Sequence, residues 1–197
     1  PPGGPLVSPS PPVPSGWKVL QSNGGSSDAP IGVSYTSNVS PGTKLIAYVT
    51  TYQTTTSTVK DGAGNSFTKL AAIGLNNNTS GDGELSLWAV DTPAGDVGTK
   101  PTITPTFAGA FQAVGIVIQE VSGLLAGNTS AMLDGAAGTS FGTIAVDGNV
   151  SCGAYISAAA GEYLVALYGD DEFIADSTGT PTGSTTLPPQ PRSVPWP

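Results

Sequence analysis

Short runs in which apolar and β-branched residues alternate with polar ones are separated by clusters of Gly, Asn, Asp and Pro, and no apolar period of 3.6 residues is sustained anywhere. This pattern predicts an all-β chain. Over 43–51, Leu45, Ala47 and Val49 alternate with Lys44, Ile46, Tyr48 and Thr50, so that both faces are mostly apolar or β-branched, as in a central strand. Residues 54–60 run into Asp61-Gly62-Ala63-Gly64-Asn65 and out along 67–73. Gly and Asx residues supply the positive φ of a tight reversal, and the stretch therefore predicts a hairpin. Over 84–90, Leu85, Leu87 and Ala89 share one face while Glu84, Ser86 and Trp88 share the other, and the run stops at the turn 91–96. Trp88 is thereby expected to cap a sheet edge or meet a neighbour. Residues 102–107 include Pro105, which removes a ladder donor and predicts an edge strand protected from unwanted pairing. Stretches 113–121 and 162–168 are apolar on both faces and should be the most buried. With weaker runs near 17–20, 31–35, 142–146 and 152–157, the total is about nine or ten strands, which two packed antiparallel sheets accommodate as a β-sandwich.

Proline sets the domain organisation. Seven of the 18 prolines fall within the first 14 residues and six more between Pro181 and Pro197. Such density blocks helix and central-strand hydrogen bonding and favours extended polyproline II. Residues 1–14 and 181–197 therefore read as extended arms and 15–180 as the sandwich domain. The first arm is uncharged and carries Leu6, Val7 and Val13, which fits either a linker or a strap that orders against a partner.

Composition narrows the function classes. Among 197 residues, Ser and Thr supply 44 while charged residues are only 10%, so the polar surface is hydroxyl-rich rather than ionic. Fourteen acids against six bases give a formal charge of −8, and the one arginine is Arg192. A phosphate backbone needs clustered Lys and Arg, and nucleic acid is not expected as a partner. The absence of histidine removes the commonest general base and zinc ligand. Cys152 is the single cysteine and reads as a buried, inert thiol with no cation beside it to lower its pKa. No apolar run reaches the roughly 18 residues of a membrane span, and the opening lacks the basic and apolar regions of a signal peptide. No membrane partner is expected. The chain begins at Pro1 and its only methionine is Met132, which fits a removed initiator or a piece of a longer protein.

Candidate chemistry is sparse. Gly138-Thr139-Ser140-Phe141-Gly142 matches G-x-S-x-G, but that motif needs a strand-turn-helix elbow and a histidine. Most acids sit in turns or beside glycine (Asp61, Asp82, Asp91, Asp96, Asp134, Asp147), where an Asx side chain caps the backbone more readily than it forms a glycosidase pair. Calcium would draw on Asp61 with Asn65, Asp82 with Glu84, or Asp170-Asp171-Glu172, none of which has the EF-hand series. No catalytic residue, metal site or cofactor is assigned. The five Asn-x-Ser/Thr sequons at Asn38, Asn77, Asn78, Asn128 and Asn149 follow from the abundance of hydroxyl residues. Trp17 reads as core. Trp196, between Pro195 and Pro197, has no core of its own to enter. It is assigned with Pro11, Pro12, Pro188 and Pro189 to partner binding.

Taken in order, Val59 to Phe67, Leu85 to Val90, Ile118 to Leu124, Leu133-Asp134-Gly135 and Gly161 to Ala166 resemble a Gly/Thr-rich immunoglobulin-like or jelly-roll β-sandwich module. Such modules occur in virion proteins of tailed phages, notably minor tail and head-decoration proteins of actinobacterial phages, and in some bacterial surface proteins. The resemblance covers roughly residues 30–175. It implies a non-enzymatic structural protein of a bacteriophage virion, present in many copies and docked on capsid or tail subunits. The family pattern continues beyond Asp170-Asp171-Glu172 through another hairpin, whereas this chain turns to Thr-, Gly- and Pro-rich sequence. Either early strands close the sandwich or a neighbouring chain completes an open edge. The alternative is an adhesin module binding host cell-wall polysaccharide through exposed aromatics and the Asn76 to Gly81 loop.

Overall fold

The computed structural model describes residues 16–74, 83–110, 113–124, 126–127 and 163. Among them there is no helix, and eight strands form two antiparallel sheets. They are β1 (Lys18–Ser27), β2 (Val33–Ser34), β3 (Lys44–Tyr52), β4 (Thr56–Lys60), β5 (Thr68–Gly74), β6 (Gly83–Asp91), β7 (Thr102–Phe107) and β8 (Ala113–Ser122). One sheet has the order β1-β8-β3-β6-β5 and the other β2-β7-β4. The proline-rich arms, the expected strands at 142–146 and 152–157, most of 162–168, and the Gly138 to Gly142 motif lie outside the described residues.

The larger sheet is organised around β3, which pairs with β6 on one side and β8 on the other over all nine of its residues. Its first six residues are all buried, as the two-faced apolar pattern requires. Alternation sends Leu45, Ala47 and Val49 toward the smaller sheet and Ile46 and Tyr48 to the opposite side. β1 is mostly polar beyond Val19 and Leu20, and its strand conformation is imposed by the ladder to β8, from Lys18 opposite Ser122 to Ser27 opposite Val114. Its side chains add two ties: Gln21 Nε2 donates to the Ser37 carbonyl and Asn23 Nδ2 to the Ser34 carbonyl.

Two expectations about strand placement are corrected. β7 is the centre of the three-stranded sheet rather than an edge. Pro105 is tolerated because of where its missing donor points. It faces Val59, whose carbonyl accepts from Phe67 N–H and so points away from β7, making Val59 and Pro105 a non-hydrogen-bonded pair. The absent N–H falls on the β2 side, where the ladder pairs only Ile103 and Thr102. The second correction concerns β4 and β5. The turn forms where expected, with Gly64 at φ 91°, and is closed by a bridge between Lys60 and Ser66. Beyond Phe67 the two arms part, β4 into the small sheet and β5 into the large one. Val59 and Phe67 both enter the inter-sheet core, so the chain crosses between layers here instead of returning along itself.

The core between the sheets takes Val33 and Ile103 from one side and Leu45, Val49, Trp88, Ile116 and Ile118 from the other. Fully burying one such side chain contributes about 1.5–3 kcal/mol. Trp88 is only 4% exposed, and its Nε1 donates to Ser86 Oγ at 2.9 Å. It neither caps an edge nor faces a neighbour, because the Glu84, Ser86 and Trp88 face of β6 is the inward face. The outward face also carries a cluster, of Ile46, Tyr48, Leu87, Ala89 and Val121, with Trp17, Val19, Leu70 and Tyr163 packed against it. Trp17 and Tyr163 meet edge to face, with ring centroids 4.7 Å apart.

Candidate functional site

Buried polar side chains among the described residues are positioned by the strand register and, at Asp61, by a turn. At one end of the inter-sheet space, Lys69 of β5 meets Glu84 of β6 with Nζ to Oε1 at 2.8 Å and to Oε2 at 3.1 Å. The same ammonium donates to the Thr56 carbonyl at 2.8 Å and lies 4.9 Å from the centre of the Trp88 ring. Thr56 N–H reaches Glu84 Oε1 at 3.3 Å, while Thr56 Oγ1 is buried and unpaired. A lysine held by a carboxylate, a carbonyl and an aromatic face is a structural cation.

On β8, Gln119 and Glu120 point to opposite faces. Glu120 is 1% exposed; its Oε1 accepts from Ser40 N–H at 2.7 Å and Thr43 Oγ1 at 3.0 Å, and its Oε2 from Gln21 Nε2 at 2.7 Å. Those donors fix the turn into β3 onto β8. Gln119 Oε1 accepts from Tyr48 Oη at 2.9 Å and Tyr163 Oη at 2.5 Å on the outward face. Burial, and next the neighbouring Tyr163, push the Tyr48 phenol well above its ordinary value. Tyr163 is also raised by burial, against the opposing hydrogen bond with Tyr48. Tyr35 donates to the Gln119 carbonyl at 3.0 Å and is raised by burial, then by the charges of Glu120 and Asp96.

Beside the outward cluster lies a shallow pocket of about 160 Å³, lined by Thr43, Lys44, Asp91, Thr92, Leu124 and Ala126. Lys44 is 2% exposed, forms an ion pair with Asp91 and donates to the Gly127 carbonyl. Asp91 Oδ2 in turn accepts from Gly127 N–H at 2.7 Å. The pocket is thus walled by groups that already serve one another.

Asp61 caps the turn after β4, as its position beside glycine implied. Its Oδ1 accepts from Ala63 N–H at 2.8 Å and Asn65 N–H at 2.9 Å, and its Oδ2 from Asn65 Nδ2 at 2.7 Å. Asn65 therefore presents a donor to Asp61 rather than the oxygen a calcium ion would need. Glu84, the described member of a second calcium candidate, is engaged by Lys69. Among the described residues no three His, Cys, Asp or Glu side chains stand close enough to hold a metal ion.

Pro11, Pro12, Pro188, Pro189 and Trp196 lie outside the described residues, as do Cys152, Asp82, Asp170, Asp171, Glu172 and the Asn76 to Gly81 loop. Sequence reasoning missed the buried roles of Lys44, Lys69, Glu84 and Glu120. Their only signal was a charge placed on the face of a strand that otherwise reads as buried. It also missed Asp96, which is buried in the loop after β6 and whose carboxyl Oδ2 has no hydrogen-bond partner. Comparison with known proteins found no matching protein family, no matching curated protein and no matching solved structure.

Proposed function

We propose that this chain is a non-enzymatic structural protein of a bacteriophage particle, a minor tail or capsid decoration protein that docks on neighbouring virion subunits in many copies. The observation that carries the reading is the use made of the buried carboxylates. Asp61 caps a turn, Glu84 holds Lys69, and Glu120 anchors the Ser40 to Thr43 turn. Polar groups that an enzyme would keep for substrate are committed here to rigidity. Three of the five motifs that carry the virion-module resemblance fall on structurally central positions, Val59 to Phe67 on the crossing between sheets, Leu85 to Val90 on β6 and Ile118 to Ser122 on β8, while Leu133-Asp134-Gly135 and all of Gly161 to Ala166 but Tyr163 lie outside the described residues. A fold of immunoglobulin-like or jelly-roll type is the finer architecture of this reading.

In it, the arms with Pro11, Pro12, Pro188, Pro189 and Trp196 make the docking contacts. An arm already biased to an extended conformation loses less freedom on binding, and repetition in an assembly adds avidity. The rival reading, binding of cell-wall polysaccharide, loses Trp88 as a stacking platform because the ring is enclosed between the sheets.

The test is co-sedimentation of the purified chain with particles that lack it. Saturable association that weakens when the chain is cut after Thr186 supports docking through the second arm. Binding to purified cell wall, with none to particles, would replace the structural reading by the adhesin.

A further inference from the structure

A sheet in a two-layer sandwich buries one face against its partner and leaves the other to water. The smaller sheet follows this rule. With Val59, Ile103 and Pro105 buried on its inner side, its outer side carries Ser34, Thr58, Thr102, Thr104 and Thr106, all exposed or half-buried. Hydroxyls pair there across strands, Ser34 with Thr102 at 2.6 Å and Thr58 with Thr106 at 2.7 Å. The larger sheet breaks the rule. On its outward face Ala89 and Val121 are 0% exposed, Ile46 4%, Tyr48 8% and Leu87 9%.

Neighbours within a sheet stand beside a side chain and not above it, so a fully enclosed residue on an outward face needs atoms from another layer. All but one of the described side chains packed against this cluster belong to the sheet's own strands or adjoin their ends. The exception is Tyr163. Its hydroxyl donates to Gln119 Oε1 at 2.5 Å and lies 3.5 Å from the Tyr48 hydroxyl, and its ring meets Trp17 edge to face with centroids 4.7 Å apart. Gln119 stands opposite Ile46 in the ladder between β8 and β3. The Tyr163 side chain is therefore aimed at the sheet and seated next to the cluster.

From Tyr163 the sequence continues Leu164-Val165-Ala166-Leu167-Tyr168, with no charge, glycine or proline. At about 3.3 Å per residue in extended form, the step from Tyr163 to Tyr168 reaches roughly 17 Å. Neighbouring strands lie about 4.8 Å apart, so this reach exceeds the distance from β8 across β3 to β6, where Leu87 and Ala89 stand.

We infer that the segment from Tyr163 to Tyr168 covers the outward face of the larger sheet and closes a second core over Ile46, Tyr48, Leu87, Ala89 and Val121. Burial on both sides is what the two-faced apolar pattern of β3 calls for. Gln119 fixes the point of entry, since its amide oxygen takes the phenol donors of both Tyr48 and Tyr163. Alternation in an extended chain then directs Val165 and Leu167 to the same side as Tyr163, toward the sheet. A neighbouring protein reaches this face only by displacing the segment.

The experiment is methyl NOE spectroscopy of the full chain with carbon-labelled Ala, Ile, Leu and Val, repeated with isotope filtering on an equal mixture of labelled and unlabelled chains. Methyl groups of the 164–168 segment should contact those of Ile46, Leu87, Ala89 or Val121 within one chain, with Val165 and Leu167 closest. The cluster methyls should also resist broadening by a soluble gadolinium chelate, in contrast to Val97, which is 37% exposed. Absence of any contact from Leu164, Val165 and Leu167 to the cluster would overturn the inference, as would broadening of the cluster equal to that of Val97. Contacts that appear only across the filter would overturn it as well, because a second copy would then be the occupant.

Discussion

The ammonium of Lys69 lies 2.8 Å from Glu84 Oε1, joining neighbouring strands of the larger sheet directly beside the Trp88 ring. Glu84 is 7% exposed, so a variant lacking the lysine leaves a largely desolvated carboxylate behind.

Lys69→Met should cost about 1–2 kcal/mol, less than the loss of a fully buried pair because the Lys69 side chain is 32% exposed. Lys69→Met combined with Glu84→Gln should recover at least half of it, since the amide still accepts from Thr56 N–H. Urea unfolding of the three proteins, followed by tryptophan emission, measures both effects. Additive losses would mean that the two side chains act independently.

Tyr163 is far from β3 and β8 in sequence, yet its hydroxyl shares Gln119 Oε1 with Tyr48 and its ring meets Trp17. Tyr163→Phe should cost about 1 kcal/mol, the price of one hydrogen bond, while keeping the ring contact. Tyr163→Ala should cost more and change Trp17 emission. Both phenols have folded pKa values raised above 10, so the stability they contribute is present in full below that pH and is lost as pH climbs through the higher folded values. Ultraviolet titration of the folded chain should show these two ionising late. Tyrosines that all titrate together near 10 would contradict the contact.

Central strands were legible in the sequence where burial on both faces left a continuous apolar signature, as in β3 and β8. β6 was legible from alternation alone. The inward direction of Trp88 was not, because Glu84 and Ser86 share its face and make it look like the wet side. Only the third dimension shows that Lys69 neutralises Glu84 and that Ser86 accepts from the indole. The extent of β1 was hidden for the opposite reason: Lys18 to Ser27 carries few apolar residues, and its conformation comes from pairing with β8. Pro105 misled because proline forbids a donor on one side of a strand, not both. The turn at Asp61 was read correctly, but the departure of β5 into the other sheet beyond it is a crossing that no local signal encodes.

Gly123 follows β8 with φ 79°, and a Cβ built there would stand 2.2 Å from the Gly16 carbonyl oxygen. Backbone conformation and space both exclude a side chain. Gly123→Ala should destabilise the fold by about 2 kcal/mol or more, with the entry into β1 displaced. Gly62→Ala, where nothing lies within 4 Å of the added Cβ and φ is not positive, serves as the control and should change stability by less than about 1 kcal/mol. Equal behaviour of the two variants would remove the close approach at Gly16 as a constraint.

The most direct test of the structural role is to determine whether this chain is present in gradient-purified phage particles and, if so, to locate it in a cryo-electron microscopy density map. The expected result is density for the two-sheet body at repeated, equivalent positions, with proline-rich arms lying on capsid or tail subunits. Particles that contain no copy of the chain, together with turnover of a substrate by the isolated protein, would contradict it.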